Sequence, residues 1–222
     1  MTNDDGWDAP GLAALKSVAS QWGEVYVVAP RDPHSYAGHR VTTDRPLELT
    51  ETGPGEYHLS GTPADCVRVA LTALLPEVDW VLSGINRGGN LGADIYSSGT
   101  VAAAREAAFL GVRALAVSQY MRRGVELKWE HAAALAGRVI SGVLAEAVGA
   151  KEYWNINLPH LGEGEEAAVA ECVPDNEPLD VQFQREGHLF RYAGAYAARP
   201  RTAGRDVDRC LGGAVTISRL RA

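Results

Sequence analysis

The feature that most constrains this chain is a series of short apolar runs separated by stretches of helical period. Val25 to Ala29 is a continuous run, mostly β-branched, between Gly23 and Pro30. Val78 to Ser83, Val112 to Ser118 and Tyr153 to Leu158 have the same character, and Pro159 closes the last. Runs of this length that stay apolar on both faces belong to strands covered on both sides. Between them, residues 11–22 bring Leu12, Leu15, Val18 and Ala19 to one helix face, and residues 64–75 do the same with Val67, Ala70, Leu71 and Leu74. Residues 100–110 and 130–148 are alanine-rich and periodic. Strand and helix in alternation predict βαβ units, hence an α/β fold with a mostly parallel sheet and helices on both faces.

Two stretches break the alternation. Leu47, Leu49, Tyr57 and Leu59 flank Gly53-Pro54-Gly55, the pattern of a hairpin. A second hairpin is expected from Val181–Gln184 and His188–Tyr192 around Glu186-Gly187, followed by a short helix near Arg205–Leu211 and a last strand at Ala214–Ser218. The chain is therefore divided into an α/β core, residues 1–160, and a β-rich C-terminal extension, residues 161–222, whose projecting hairpin is expected to serve oligomerisation.

Composition excludes several classes. Of the 222 residues, 46% are hydrophobic, too many for a disordered chain, and the formal net charge of −7 argues against a sequence-blind nucleic-acid binder. Cys66, Cys172 and Cys210 are scattered without a CxxC pair, so neither a disulfide framework nor a thiolate zinc site is expected, and a reducing compartment is the simpler setting. No apolar run is long enough to span a bilayer, and the first residues have neither the basic start nor the apolar stretch of a signal peptide. A cytoplasmic location is the expectation.

In open parallel sheets ligands sit beyond the carboxyl ends of the strands, so the polar loops there are the place to seek chemistry. Asn3-Asp4-Asp5-Gly6 sets two carboxylates side by side before a helix, which suits a hard divalent cation and equally a turn with a cap. Arg31 to His39 offers Ser35, His34 and His39 after a strand. Ser83-Gly84-Ile85-Asn86-Arg87-Gly88-Gly89-Asn90 combines glycines, which admit a ligand close to the backbone, with two neutral amides. Ser97-Ser98-Gly99-Thr100 opens an alanine helix and reads both as an ordinary cap and as an anion site. Taken together, carboxylates, amides, a hydroxyl and a helix N-terminus suggest metal-assisted hydrolysis of a phosphate ester. A GxSxG elbow is absent, as is a Walker A ending. Thr62 and Pro63 read as a helix start, with Cys66 inside that helix and in the core.

The segments Thr2-Asn-Asp-Asp-Gly, Ala9-Pro-Gly-Leu, Val27-Val-Ala-Pro, Gly61-Thr-Pro-Ala-Asp-Cys, Ser83-Gly-Ile-Asn-Arg-Gly, Asn90-Leu-Gly and Ser98-Gly-Thr-Val-Ala-Ala-Ala, in this order and spacing, resemble the survival protein SurE family. Weaker similarity continues through Asn155-Ile-Asn-Leu-Pro and Asp206 to Ser218. The resemblance implies a Rossmann-like three-layer core. It also implies a metal-dependent phosphomonoesterase that hydrolyses nucleoside 5′-monophosphates, and 3′-monophosphates, to nucleoside and phosphate. One Mg²⁺ or Mn²⁺ per subunit would be held by Asp4, Asp5, Ser35 and Asn86. Asn90, Ser98, Gly99 and Thr100 would bind the substrate phosphate, and His39 is a candidate to protonate the leaving oxygen. The family resemblance further implies a homodimer or homotetramer with an exchanged C-terminal hairpin, and neither membrane nor nucleic-acid polymer as partner.

One departure bears on activity. Family members carry a short apolar strand before the Thr-Asn-Asp-Asp-Gly segment, and here only Met1 precedes Thr2. That strand would aim the two aspartates, so the alternative expectation is a catalytically impaired nucleotide-binding module with Asp4 and Asp5 displaced.

Overall fold

Each apolar run becomes a strand, and each periodic stretch a helix, in the computed structural model of the chain, which describes residues 1–75, 77–162 and 164–222. The order begins α1 (Pro10–Ala19), β1 (Val27–Pro30), β2 (Leu49–Gly53), β3 (Glu56–Leu59), α2 (Pro63–Val69) and β4 (Trp80–Arg87). It continues α3 (Asp94–Ser97), α4 (Gly99–Phe109), β5 (Arg113–Gln119), α5 (Trp129–Ala145) and β6 (Glu152–Leu158). The rest is β7 (Val169–Glu171), β8 (Phe183–Glu186), β9 (Leu189–Tyr192), α6 (Asp206–Leu211) and β10 (Val215–Arg221).

Strands β4, β5 and β6 run parallel. On the far side β10 joins β6 antiparallel, and β7 joins β10. Strand β1 pairs parallel with β3, which turns back into β2, so the early hairpin extends a second, three-stranded sheet. The two sheets meet at the start of the chain. Thr2 donates its N–H to the Leu82 carbonyl at 3.1 Å and accepts from Gly84 N–H at 2.9 Å, while Met1 accepts from Val28 N–H at 2.9 Å. Met1 and Thr2 thus form one rung between β1 and β4, and Asn3, Asp4 and Asp5 emerge at the carboxyl ends of both strands. A cleft of about 680 Å³ lined by Tyr26, Val28, Cys66 and Val81 opens beside this rung.

The helices cover both faces, which makes the core Rossmann-like. Leu15 and Ala19 of α1 and Ala136, Val139 and Ile140 of α5 pack on Leu82, Leu115, Trp154 and Ile156. On the other face, Val67 of α2 and Val101, Ala103, Ala104 and Ala107 of α4 meet Val81, Ala114, Ala116 and Tyr153. The alanines of α4 are faced by alanines of β5, and small side chains on both partners let the helix lie close to the sheet. Helix α2 starts as its sequence dictates. Thr62 accepts from Asp65 N–H and Asp65 accepts from Thr62 N–H, a reciprocal cap with Pro63 in the first turn. Among the described residues no helix is long and apolar enough to cross a membrane.

Beyond residue 160 the chain returns to the core sheet through β7 and β10 and caps it with α6. Asp206 on α6 is fully buried. It accepts from Gly92 N–H at 2.9 Å and Asp175 N–H at 2.7 Å, tying the extension to the loop after β4. Arg199 adds a second tie, donating to the Asp94 carboxylate at 2.6 Å and the Leu91 carbonyl at 2.9 Å. Hairpin β8–β9 forms a sheet of its own, with Phe183, Leu189, Phe190 and Tyr192 exposed.

Gly84 shows how tightly β4 and β5 are joined. Its φ is +137°, and a Cβ there would lie 2.2 Å from the Val117 carbonyl oxygen. Backbone strain and overpacking add, so Gly84→Ala is expected to cost about 3 kcal/mol or more. Urea unfolding of the variant beside the parent measures it.

Candidate active site

The site is built around Asp4 and Asp5, which leave the central rung on opposite errands. Asp4 is buried and turns toward the start of α4. Its Oδ1 accepts from the Thr100 hydroxyl at 2.5 Å. Asp5 is half-buried and its Oδ2 accepts from Arg87 N–H at 2.9 Å, at the end of β4. The Asp4 carbonyl accepts from His34 N–H at 2.8 Å, which brings in the loop after β1. Gly38 N–H of that loop donates to the Ser97 carbonyl at 2.9 Å. Segments far apart in the chain therefore converge on two adjacent carboxylates.

Gly99 explains why this is possible. A Cβ at that position would meet Asp4 Cβ at 2.9 Å and its Oδ2 at 3.1 Å. Only glycine lets the carboxylate sit against the first turn of α4. Ser98 caps that helix, accepting from Val101 N–H at 3.1 Å. The N–H groups of the first turn and the positive end of the helix dipole are thus presented next to Asp4.

Burial pushes the Asp4 carboxyl up to about 6, and the Asp5 charge acts in the same sense, against the Thr100 hydrogen bonds that favour ionisation. Asp5 is also raised by burial, with Arg87 N–H opposing. A cation placed beside the pair would offset both burial and mutual repulsion. The donor set fits a hard one: among the described residues Asp5 keeps its Oδ1 uncommitted by hydrogen bonds, and Asn86 spends its Nδ2 on the Gly88 carbonyl at 2.7 Å, leaving the amide oxygen as donor. Ser35 lies exposed, one residue beyond His34.

The remaining expected residues have other partners. Asn90 is buried in a knot of amides. Its Nδ2 donates to Ser118 Oγ at 2.8 Å, its N–H donates to Asn157 Oδ1 at 2.7 Å, and its carbonyl accepts from Asn155 and Asn157. That knot fixes the glycine loop from below, and Asn155 and Asn157, two amides on one face of an apolar strand, were the visible signal for it. His39 lies 2.6 Å from the Glu106 carboxylate through Nε2, and Arg105 reaches its Nδ1 at 3.4 Å, so both ring nitrogens are engaged within the protein. Cys66 is buried and burial pushes its thiol up, in keeping with a core residue. Glu106, Asp206, Asp94 and Arg199, which hold the loops, escaped the sequence reading because nothing in their spacing separates them from surface charge.

Fold and site together define an α/β protein whose Asp4–Asp5 pair lies at the carboxyl ends of β1 and β4 in a mostly parallel arrangement, where such folds bind ligands. The family model described as survival protein SurE matches residues 1–176. A protein named 5′-nucleotidase SurE from Desulforudis audaxviator is 41% identical over 92% of this chain and 76% of its own length. A relative from Nostoc sp. is 46% identical over 100% of this chain and 98% of its own length. The crystal structure of the SurE protein from Aquifex aeolicus is 32% identical, with a TM-score of 0.84 over 99% of this chain and 91% of that one. The chain belongs to the survival protein SurE family.

The raised Asp4 has a measurable sign. Unfolded, the group titrates near 3.8; folded, near 6. Between those values the folded protein holds a proton that the unfolded chain has released, so metal-free protein loses stability as pH rises through this window, by up to about 3 kcal/mol from this group. Asp4→Asn has no such proton to lose. Urea unfolding in EDTA at pH 4 and 7 should show the variant gaining on the parent at the higher pH; a constant difference would refute the shift.

Proposed function

We propose that this protein is a metal-dependent 5′-nucleotidase that also accepts nucleoside 3′-monophosphates. The convergence of Thr100, Arg87 and His34 on the Asp4–Asp5 pair supports this reading, together with membership of a family whose relatives carry the 5′-nucleotidase name. Asp4, Asp5, Asn86 and Ser35 would hold one Mg²⁺ or Mn²⁺, which supplies charge neutralisation on a phosphoryl oxygen and a water of lowered pKa.

This chain's own residues do the rest. The first turn of α4, with Gly99 and Thr100, directs N–H groups and a positive dipole end at the phosphoryl group, where negative charge is redistributed in the transition state. Thr100 holds the Asp4 carboxylate in place, and Arg87 N–H holds Asp5, so neither has to reorganise when substrate arrives. Ser98 is committed to capping the helix and keeps those N–H groups in line. His39, held by Glu106 and Arg105, has no role in proton transfer in this mechanism.

The same reading makes the protein a cytoplasmic homodimer or homotetramer in which the exposed face of β8–β9 is covered by a second copy. Deleting Val181 to Tyr192 is then expected to yield a monomer in analytical ultracentrifugation, and an unchanged oligomer removes the hairpin from that role.

Phosphate release from a panel of 5′- and 3′-monophosphates with Mn²⁺, with Mg²⁺ and with EDTA tests the activity. Release is expected only with metal, and Asp4→Asn is expected to abolish it while the circular dichroism spectrum stays that of the parent. Tight nucleotide binding without release, in parent protein with metal, would overturn the proposal.

A further inference from the structure

The loop from Arg31 to Pro46 carries Ser35 and contains no helix or strand. Among the described residues, none of its side chains joins an apolar core cluster. Its position rests on polar tethers. The apex is pinned to Asp4 and Ser97 by the two backbone bonds already described. The descending limb is pinned by two buried carboxylates on different helices. Glu106 of α4 takes His39 at 2.6 Å, and Asp65 of α2 takes Thr42 through N–H at 2.8 Å and Oγ at 2.7 Å. Thr62 adds a bond to the Arg40 carbonyl at 2.6 Å.

Glu106 is the informative member. It is 3% exposed, yet lies in the last turn of the helix, where a carboxylate contributes nothing to capping. Its second oxygen accepts from Arg68 Nε at 2.6 Å, so one carboxylate joins α4, α2 and the loop. The tautomer of His39 follows from its neighbours. Arg105 can only donate, so Nδ1 accepts and Nε2–H donates to Glu106. With both nitrogens committed within the protein, the ring is placed as a strut between Glu106 and Arg105.

We propose that Glu106 is a positioning residue of the active site. By clamping His39 it holds the Ser35 loop in register with Asp4, Asp5 and the start of α4, and so sets the affinity for metal and substrate. The proposal rests on the nucleotidase reading for its kinetic consequence but not for its structural one, and the experiment separates the two.

Glu106→Met keeps the side-chain length but removes both acceptor oxygens, and Arg68, itself 43% exposed, can turn to water, so the fold is expected to survive. Hydrogen–deuterium exchange should then rise in residues 31–42 while the β4–β5 strands stay protected. In kinetics, half-saturating Mn²⁺ and KM should rise about tenfold or more with kcat little changed. His39→Ala should behave likewise, and keep the parent pH profile. His39→Gln presents an amide N–H to Glu106 and an oxygen to Arg105, and should recover most of what His39→Ala loses. Exchange in 31–42 unaltered by Glu106→Met would overturn the clamp even if the parent proved to have no nucleotidase activity. A loss of kcat in His39→Ala that glutamine does not rescue, with a pH limb gone, would overturn it in favour of an acid role for His39. A parent that releases no phosphate defeats the nucleotidase reading alone, and the exchange result still decides the clamp.

Discussion

The contact on which most of this structure depends is the one between the Asp4 carboxylate and the first turn of α4. A buried carboxylate is expensive unless something answers its charge. Here the answer comes from the Thr100 hydroxyl and the aligned dipoles of a helix that begins with a glycine. For that geometry to exist, α4 must lie close to the sheet, which its alanine face allows, and the Asn3–Asp5 segment must leave the sheet between β1 and β4. Small residues in α4, the rung at Met1–Thr2 and the absence of a side chain at position 99 are three sides of one requirement.

That requirement also orders the charges of the site. A helix N-terminus and a carboxylate pair attract opposite partners, so a crevice that holds both suits a ligand with an anionic group bridged to a cation. A phosphate monoester bound with a divalent ion is such a ligand. The net charge of −7 is no obstacle, because recognition acts over the few ångströms where those groups converge.

The architecture was legible in the sequence because its signals are local. The apolar runs, the Thr62-Pro63 start and the glycine turns each declare themselves within a few residues, and the structure places strands and helices within a few residues of each expectation. The carboxylate pair and the Ser98–Thr100 helix start also stand out in the sequence, and the structure sets Asp4 against that turn. What was not legible is what holds them. Glu106 in an alanine helix, Asp206 in a short acidic one and Asn157 in a strand are ordinary in their own neighbourhoods. They gain meaning from partners 67 residues away for Glu106 and Asn157 and 114 for Asp206. The pairing of Thr2 with Leu82 and Gly84, which sets where Asp4 and Asp5 leave the sheet, is likewise a long-range event.

The ties of Arg199 and Asp206 to the loop after β4 bear on how such a molecule is made. Strands β4, β5 and β6 and the helices between them pair with near neighbours in the chain and can assemble as they emerge from the ribosome. Strand β7 finds its place only beside β10, and Gly92 its acceptor only when α6 exists. The glycine loop therefore leaves the ribosome long before the residues that seat it. A nascent chain passes through a stage with a formed β4–β6 sheet and an unseated glycine loop, so that the loop's final geometry waits on α6 and β10 rather than arriving along with the core.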